Sequence, residues 1–260
     1  MSCDPVVYEV DGAIGVIRLN RPENRNSMDK ETLPAFQEAL ARVEADADLR
    51  CLVITGSGSS FCGGADFKSG VLDADQEPLN ERLMAVYQPF LDVGKIRIPV
   101  IGALNGHAVG GGLGLALMCD IRVACATAKY GANFARLGLH SGMAITYILP
   151  RLVGLARANE LLFTGRIFTG EEALAMGLAN YAEPAEAVMD RSMALAREIA
   201  SAAPYAVRMM KQSILQGLDW APEGAARQEA IIQSRTFEMA DSKEGIQALL
   251  EKRRPEFKGH

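Results

Sequence analysis

Residues 98–125 read IPVIGALNGHAVGGGLGLALMCDIRVAC. The order is strand, turn, triple glycine, helix, strand. Gly110, Gly111 and Gly112 carry no side chain, so a ligand can approach the backbone there. The helix that follows points its first unpaired N–H groups and its positive dipole end at the same place. A helix start of this kind binds an anion, or the oxyanion of a reacting carbonyl. A second small, glycine-paired segment lies upstream, Phe61-Cys62-Gly63-Gly64-Ala65-Asp66. Two separated backbone donors that meet at one oxygen make an oxyanion hole.

The alternation continues on both sides of this stretch. Val6–Val10 and Ile14–Leu19 flank Asp11-Gly12 and read as a β-hairpin. Asp29–Asp46 has helical spacing, with Leu33, Phe36, Leu40 and Val43 on one face. Pro34 fits only in a first turn. Leu52–Thr55 is a short buried strand that runs into the loop Gly56–Ser60. Glu81–Val93 reads as helix after a mobile Val71–Pro78, and Pro99–Leu104 and Ile121–Ala124 are strands. Alternating strands and helices give βαβ units, so the fold class is α/β with a mainly parallel sheet. From Gly154 the pattern is helix alone, over Leu155–Phe163, Gly170–Met176, Ala185–Ala202, Pro204–Gly217, Gly224–Met239 and Ser242–Glu251. The strand-containing part is expected to close near residue 150.

The chain has 260 residues, 49% of them hydrophobic, and a formal net charge of −5. That is ample core for one large domain with an appended subdomain. Mild acidity argues against nucleic acid or an anionic membrane as a partner. No apolar run approaches the ~20 residues that span a bilayer. The opening MSCDPVVYEV lacks a basic and then apolar leader. Cys3, Cys51, Cys62, Cys119 and Cys125 show no CxxC spacing and read as reduced thiols, so a cytoplasmic location is expected. His107, His140 and His260 show no metal-ligand spacing, and no metal is expected.

Several motifs in order along the chain resemble the crotonase, or enoyl-CoA hydratase/isomerase, family. They are Asn20-Arg21-Pro22 with Asn26, Phe61–Asp66, Gly106–Gly112, Ala175-Met176-Gly177-Leu178, and Lys243-Glu244-Gly245 with Glu251-Lys252-Arg253. The resemblance covers nearly the whole chain. It implies a spiral of ββα turns over residues 1–200, a C-terminal helical trimerisation region over 201–260, and a homotrimer or a dimer of trimers. It also implies an acyl-CoA ligand, with coenzyme A as part of the substrate thioester and no permanently bound cofactor. The thioester oxygen would lie between the backbone N–H groups of Ala65 and Gly111. Arg25, Lys68 and Lys252 would contact the CoA phosphates, Lys252 from a neighbouring subunit. Each is equally readable as a solvated surface charge. Phe67–Gln88 would shape the acyl pocket. Asp66 reads better as a cap for the helix after it than as a base.

The chain departs from the family pattern at the acid–base positions. Family hydratases orient and deprotonate water with two glutamates. One lies three residues after the second hole glycine, where this chain has Gly114. The other falls by spacing on Phe134, in Lys129–Gly138. Gly114 and Phe134 would then belong to the substrate pocket without moving a proton. Each lost acid–base group typically costs ~10²–10⁴ in rate, so two-glutamate hydration cannot be written here. Single-glutamate isomerisation uses the Phe134 position too. His140 and Ser141, in Leu137-Gly138-Leu139-His140-Ser141-Gly142-Met143, are the candidates to replace them. The other reading of His140 is a surface residue, or a cap for a helix that begins near Gly142. His107 is a weaker candidate, Cys62 reads as packing and Tyr147 as core. The expected function is lyase- or isomerase-type processing of an acyl-CoA through a thioester enolate, in fatty-acid or acyl-CoA metabolism. Decarboxylation fits, because loss of CO2 itself yields the enolate. A non-catalytic acyl-CoA carrier and a CoA-independent carbon–carbon hydrolase of the same family stay open.

Overall fold

The computed structural model describes residues 4–66 and 78–260. The strands are β1 (Val6–Asp11), β2 (Ile14–Leu19), β3 (Cys51–Gly56), β4 (Ser60–Cys62), β5 (Val100–Leu104), β6 (His107–Val109), β7 (Ile121–Cys125), β8 (Lys129–Gly131), β9 (Phe168–Thr169) and β10 (Tyr181–Glu183). The helices are α1 (Thr32–Ala45), α2 (Leu79–Val93), α3 (Gly111–Met118), α4 (Ile145–Val153), α5 (Leu155–Thr164), α6 (Gly170–Ala175), α7 (Val188–Ala200), α8 (Pro204–Gly217), α9 (Pro222–Glu238) and α10 (Ala240–Glu251).

The main sheet has the order β1-β2-β3-β5-β7-β10. β1 pairs antiparallel with β2 as the expected hairpin, with Asp11 opposite Ile14 and the turn at Gly12-Ala13, and the other pairings are parallel. A second sheet has the order β4-β6-β8-β9. Each central strand of the first sheet is followed by a short strand of the second and then by helix, as in β5-β6-α3. The chain therefore winds as a spiral of ββα turns. β3 and β5 are buried at every residue, which explains their unbroken apolar runs, because helices cover both faces of a parallel sheet. α7 packs against β3, β5 and β7. α1 buries Leu33, Phe36, Leu40 and Val43, and the Phe36 ring meets Phe90 of α2 at 6.5 Å. Full burial of one such side chain stabilises the fold by about 1.5–3 kcal/mol. Pro34 occupies the first turn of α1, where its missing N–H has no intrahelical acceptor to lose.

The strand-free reading of the chain beyond residue 150 is corrected. β9 pairs with β8, and β10 extends the main sheet beside β7, with Tyr181 opposite Val123. Strands of two or three residues carry no readable period. Beyond residue 201 the described elements are helices. Lys211 of α8 reaches back to the core, donating to Ile98 O at 3.0 Å and Asp120 Oδ2 at 2.6 Å. Among the described residues no helix is long and apolar enough to cross a membrane.

Candidate active site

The two glycine segments meet because glycines leave no side chains between them. β4 ends at Cys62, and Gly63 N–H donates to Arg25 O at 2.9 Å. Met28 and Ala65 then form one parallel bridge. Met28 N–H donates to Gly64 O at 2.8 Å, and Asp66 N–H donates to Met28 O at 3.1 Å. Met28 thus uses both of its backbone groups, while Ala65 turns its own away from this partner. Ala65 N–H has no acceptor among the described residues. The segment that carries Met28 is fixed by buried Asn26. Its amide donates to Ser57 O at 2.9 Å and Ser60 O at 2.7 Å, and its oxygen accepts from Arg21 N–H at 2.9 Å. The Asn20–Asn26 motif is therefore a bracket for the first wall.

On the facing wall, Gly110 N–H donates to Gly131 O at 2.8 Å and ends the pairing of β6 with β8. Gly110 has φ 59 and ψ −122, open at low cost only to glycine. This turn reverses the chain into α3. Gly111 N–H is the first of that helix, where no intrahelical acceptor exists, and it has no other acceptor among the described residues. A Cβ on Gly111 would lie 3.5 Å from Ala65 N, and one on Gly64 would lie 2.9 Å from Gly111 N. A Cβ on Gly112 would land on Cys62 O, so α3 meets β4 backbone to backbone. Two acceptor-free N–H groups thus sit on opposed walls, with the α3 dipole behind one of them.

Beside them opens a cavity of about 500 Å³. Ala65, Gly111, Phe134, His140 and Ser141 all line it, so the structure brings these expected residues together. Phe134, on the 3₁₀ turn Asn133–Leu137, sets its ring 3.9 Å from where a Gly110 Cβ would be. His140 Nδ1 lies 2.6 Å from Ser141 O. A carbonyl can only accept, so Nδ1 carries a proton, and in the neutral ring the lone pair is on Nε2. Ser141 Oγ is buried and has no partner among the described residues.

Gly114 needs correction as a pocket residue, because Met143 covers it. A Cβ on Gly114 would lie 2.7 Å from Met143 Cβ and 3.3 Å from its sulfur, and Met143 lines the cavity in its place. The helix expected near Gly142 begins at Ile145, and His140 does not cap it. Tyr147, expected in the core, is 49% exposed with the Arg151 guanidinium 3.6 Å from its ring centre. His107 Nδ1 accepts from Lys129 N–H at 2.9 Å, which ties β8 to β6 outside the cavity. Cys62 is packing: burial pushes its thiol up to about 12. Arg25 flanks Gly63 at the cavity rim, and its exposed guanidinium makes no ion pair among the described residues. Lys252 ends α10 at φ 55, away from the cavity lining in this single chain. Lys68, the Val71–Glu77 part of the expected mobile stretch and the helix that Asp66 was expected to cap lie outside the described residues.

Met143 and Tyr87 line the cavity without having been singled out: Tyr87 lies within the Phe67–Gln88 stretch expected to shape the acyl pocket, and Met143 ends the Leu137–Met143 segment. Tyr87 projects from α2, and a Cβ on Gly142 would overlap its hydroxyl oxygen. No sequence period links positions 87 and 142. Only the Gly at 142, just after two polar candidates, hinted at a close approach.

A ββα spiral with opposed glycine turns over an apolar cavity defines a class, and the chain belongs to the enoyl-CoA hydratase/isomerase family, whose model matches residues 9–260. It is 38% identical to (E)-benzylidenesuccinyl-CoA hydratase of Thauera aromatica, over 98% of this chain and 99% of that one. It is 33% identical to the short-chain-enoyl-CoA hydratase of Clostridium acetobutylicum, over 98% of each. The 1.8 Å crystal structure of enoyl-CoA hydratase from Bacillus anthracis matches with a TM-score of 0.93 at 32% identity, covering 98% of this chain and 100% of that one. The crotonase resemblance and the spiral α/β fold are borne out.

Proposed function

We propose that the protein adds water to the double bond of an enoyl-CoA thioester, without the two-glutamate pair, and that it assembles as a homotrimer. The observation that carries the reaction is the pair of acceptor-free N–H groups, Ala65 and Gly111, beside His140 in one cavity. Attack at Cβ moves the π electrons onto the thioester oxygen. Two fixed donors and a helix dipole stabilise that charge with no rearrangement at the moment of reaction. His140 Nε2 takes the proton of the attacking water, oriented by the bond from Nδ1 to Ser141 O. Phe134, Leu137 and Leu139 give the cavity an apolar lining, suited to a hydrophobic acyl group that shields the enolate from bulk water. Arg25 at the rim, Lys68, and Lys252 of a neighbouring subunit bind the CoA phosphates, the lysines as point charges and Arg25 through its planar guanidinium. The hydratase names of the relatives support the same reading.

The test follows loss of the conjugated enoyl-thioester absorbance with crotonyl-CoA and cinnamoyl-CoA. The wild type is expected to consume at least one of them. Ala65→Pro deletes one donor and is expected to be ~10²–10³ slower. His140→Ala is expected to lose ~10²-fold while still binding the saturated thioester. A wild type that leaves both absorbances unchanged overturns the hydratase reading.

A further inference from the structure

An enolate in the hole must take a proton at Cα, and the residues assigned so far name no donor. Among the described residues, the polar side chains that line the cavity are Tyr87, Asn133, His140 and Ser141. His140 has taken the proton from water. An amide and an alcohol are far too weak as acids, whereas a phenol with an ordinary pKa near 10 is a competent acid toward a carbon base.

The structure keeps a place for that phenol. Val86, Phe90 and Val93 are buried on α2, and Tyr87 lines the cavity together with Leu83 and Val86. Its hydroxyl fills the space that a side chain on Gly142 would take. Gly142 has no positive φ, so the glycine answers a need for room and not for conformation. The Tyr87 hydroxyl makes no hydrogen bond to another described residue, so its proton is free to meet a ligand in the cavity. Burial pushes the phenol upward and keeps it protonated at neutral pH.

We propose that Tyr87 is a catalytic residue, the proton donor to Cα of the enolate held by Ala65 and Gly111. The assignment rests on the enolate chemistry proposed above. As the water oxygen bonds to Cβ, one water O–H bond breaks toward His140 Nε2. The π pair passes to the thioester oxygen, then returns as the Tyr87 O–H bond breaks and the Cα–H bond forms. The imidazolium returns its proton to the phenolate, which restores both groups.

The same transfer run backward exchanges the Cα hydrogens of a saturated thioester, which needs no double bond. Exchange in D2O is therefore followed by NMR with butyryl-CoA and 3-phenylpropanoyl-CoA. The wild type is expected to exchange at least one probe, and Tyr87→Phe to do so ~10²–10⁴ more slowly with unchanged binding. Gly142→Ala displaces the end of a side chain and no backbone, so it is expected to fold and to lose exchange as well. The double variant is expected to be no slower than Tyr87→Phe, because both changes remove one group. A Tyr87→Phe loss below about tenfold overturns the proposal, as does a wild type that exchanges neither probe. Tyr87-dependent exchange without hydration of any enoyl-CoA would support Tyr87 as the Cα acid and overturn only the hydratase reading.

Discussion

Gly114 shows how one position can be legible as an absence while its reason stays hidden. Its place after the triple glycine marks a missing carboxylate in the sequence. The methionine that replaces it comes from 29 positions along the chain, through the consecutive left-handed residues Met143 and Ala144 (φ 56 and 54) that turn the chain into α4. No local signal announces two non-glycine residues in that region. The packing makes a prediction. Gly114→Ala would gain about 1 kcal/mol in an open helix, but here the new methyl meets Met143 Cβ at 2.7 Å. Overpacking of this kind costs about 1–3 kcal/mol, so the variant is expected to be less stable in urea denaturation. Met143→Gly empties a buried site and is expected to be destabilising by itself, but in that background Gly114→Ala is expected to cost nothing further, because the two side chains compete for one space.

Long elements with a clear period, such as α1, α2 and β3, could be read from the sequence to within a few residues. The second sheet could not. β4, β6 and β8 have three residues each, too few for an alternation to show, and their pairing depends on contacts distant in sequence. The C-terminal motif with Glu244 and Arg253 was legible only as a resemblance, and the structure supplies its physics. Arg253 grips the Glu244 carboxylate with two nitrogens, at 2.6 and 2.9 Å, and Glu256 N–H adds a third bond at 2.9 Å. Together they hold the carboxyl down to about 2. A carboxylate depressed in the folded chain stabilises it above the unfolded pKa, and that contribution is lost as pH falls through the folded value. The tail after α10 is therefore expected to lose amide protection between about pH 4.5 and 2, with α1 and β3 still protected. Hydrogen exchange read by mass spectrometry checks this, and Glu244→Gln is expected to lower protection at Glu256 already at neutral pH, while Asp241 still holds Lys258 and Gly259 N–H.

The assembled molecule carries information that no single segment does. In the single chain, α9 buries no residue, and Ile214, Leu218, Trp220, Ile231, Phe237 and Leu249 of the last three helices and their connections stand exposed. Apolar surface on this extent marks an interface, and sedimentation is expected to give the homotrimer proposed above; a monomer at micromolar concentration would refute it. The family and the two donor segments were legible because glycine patterns are local. The site as a working cavity was not, because Ala65, Tyr87, Gly111 and His140 are brought together only by the winding of the spiral. The contact of Gly112 with Cys62 O gives that winding a lasting effect. The spacing of the two donors is written in peptide units, and substitutions at surrounding lining positions leave it unchanged. Recognition of the oxygen and delivery of the proton can therefore be inherited separately. On the proposed chemistry, a change of acid or base at a lining position would leave the two backbone donors where they are.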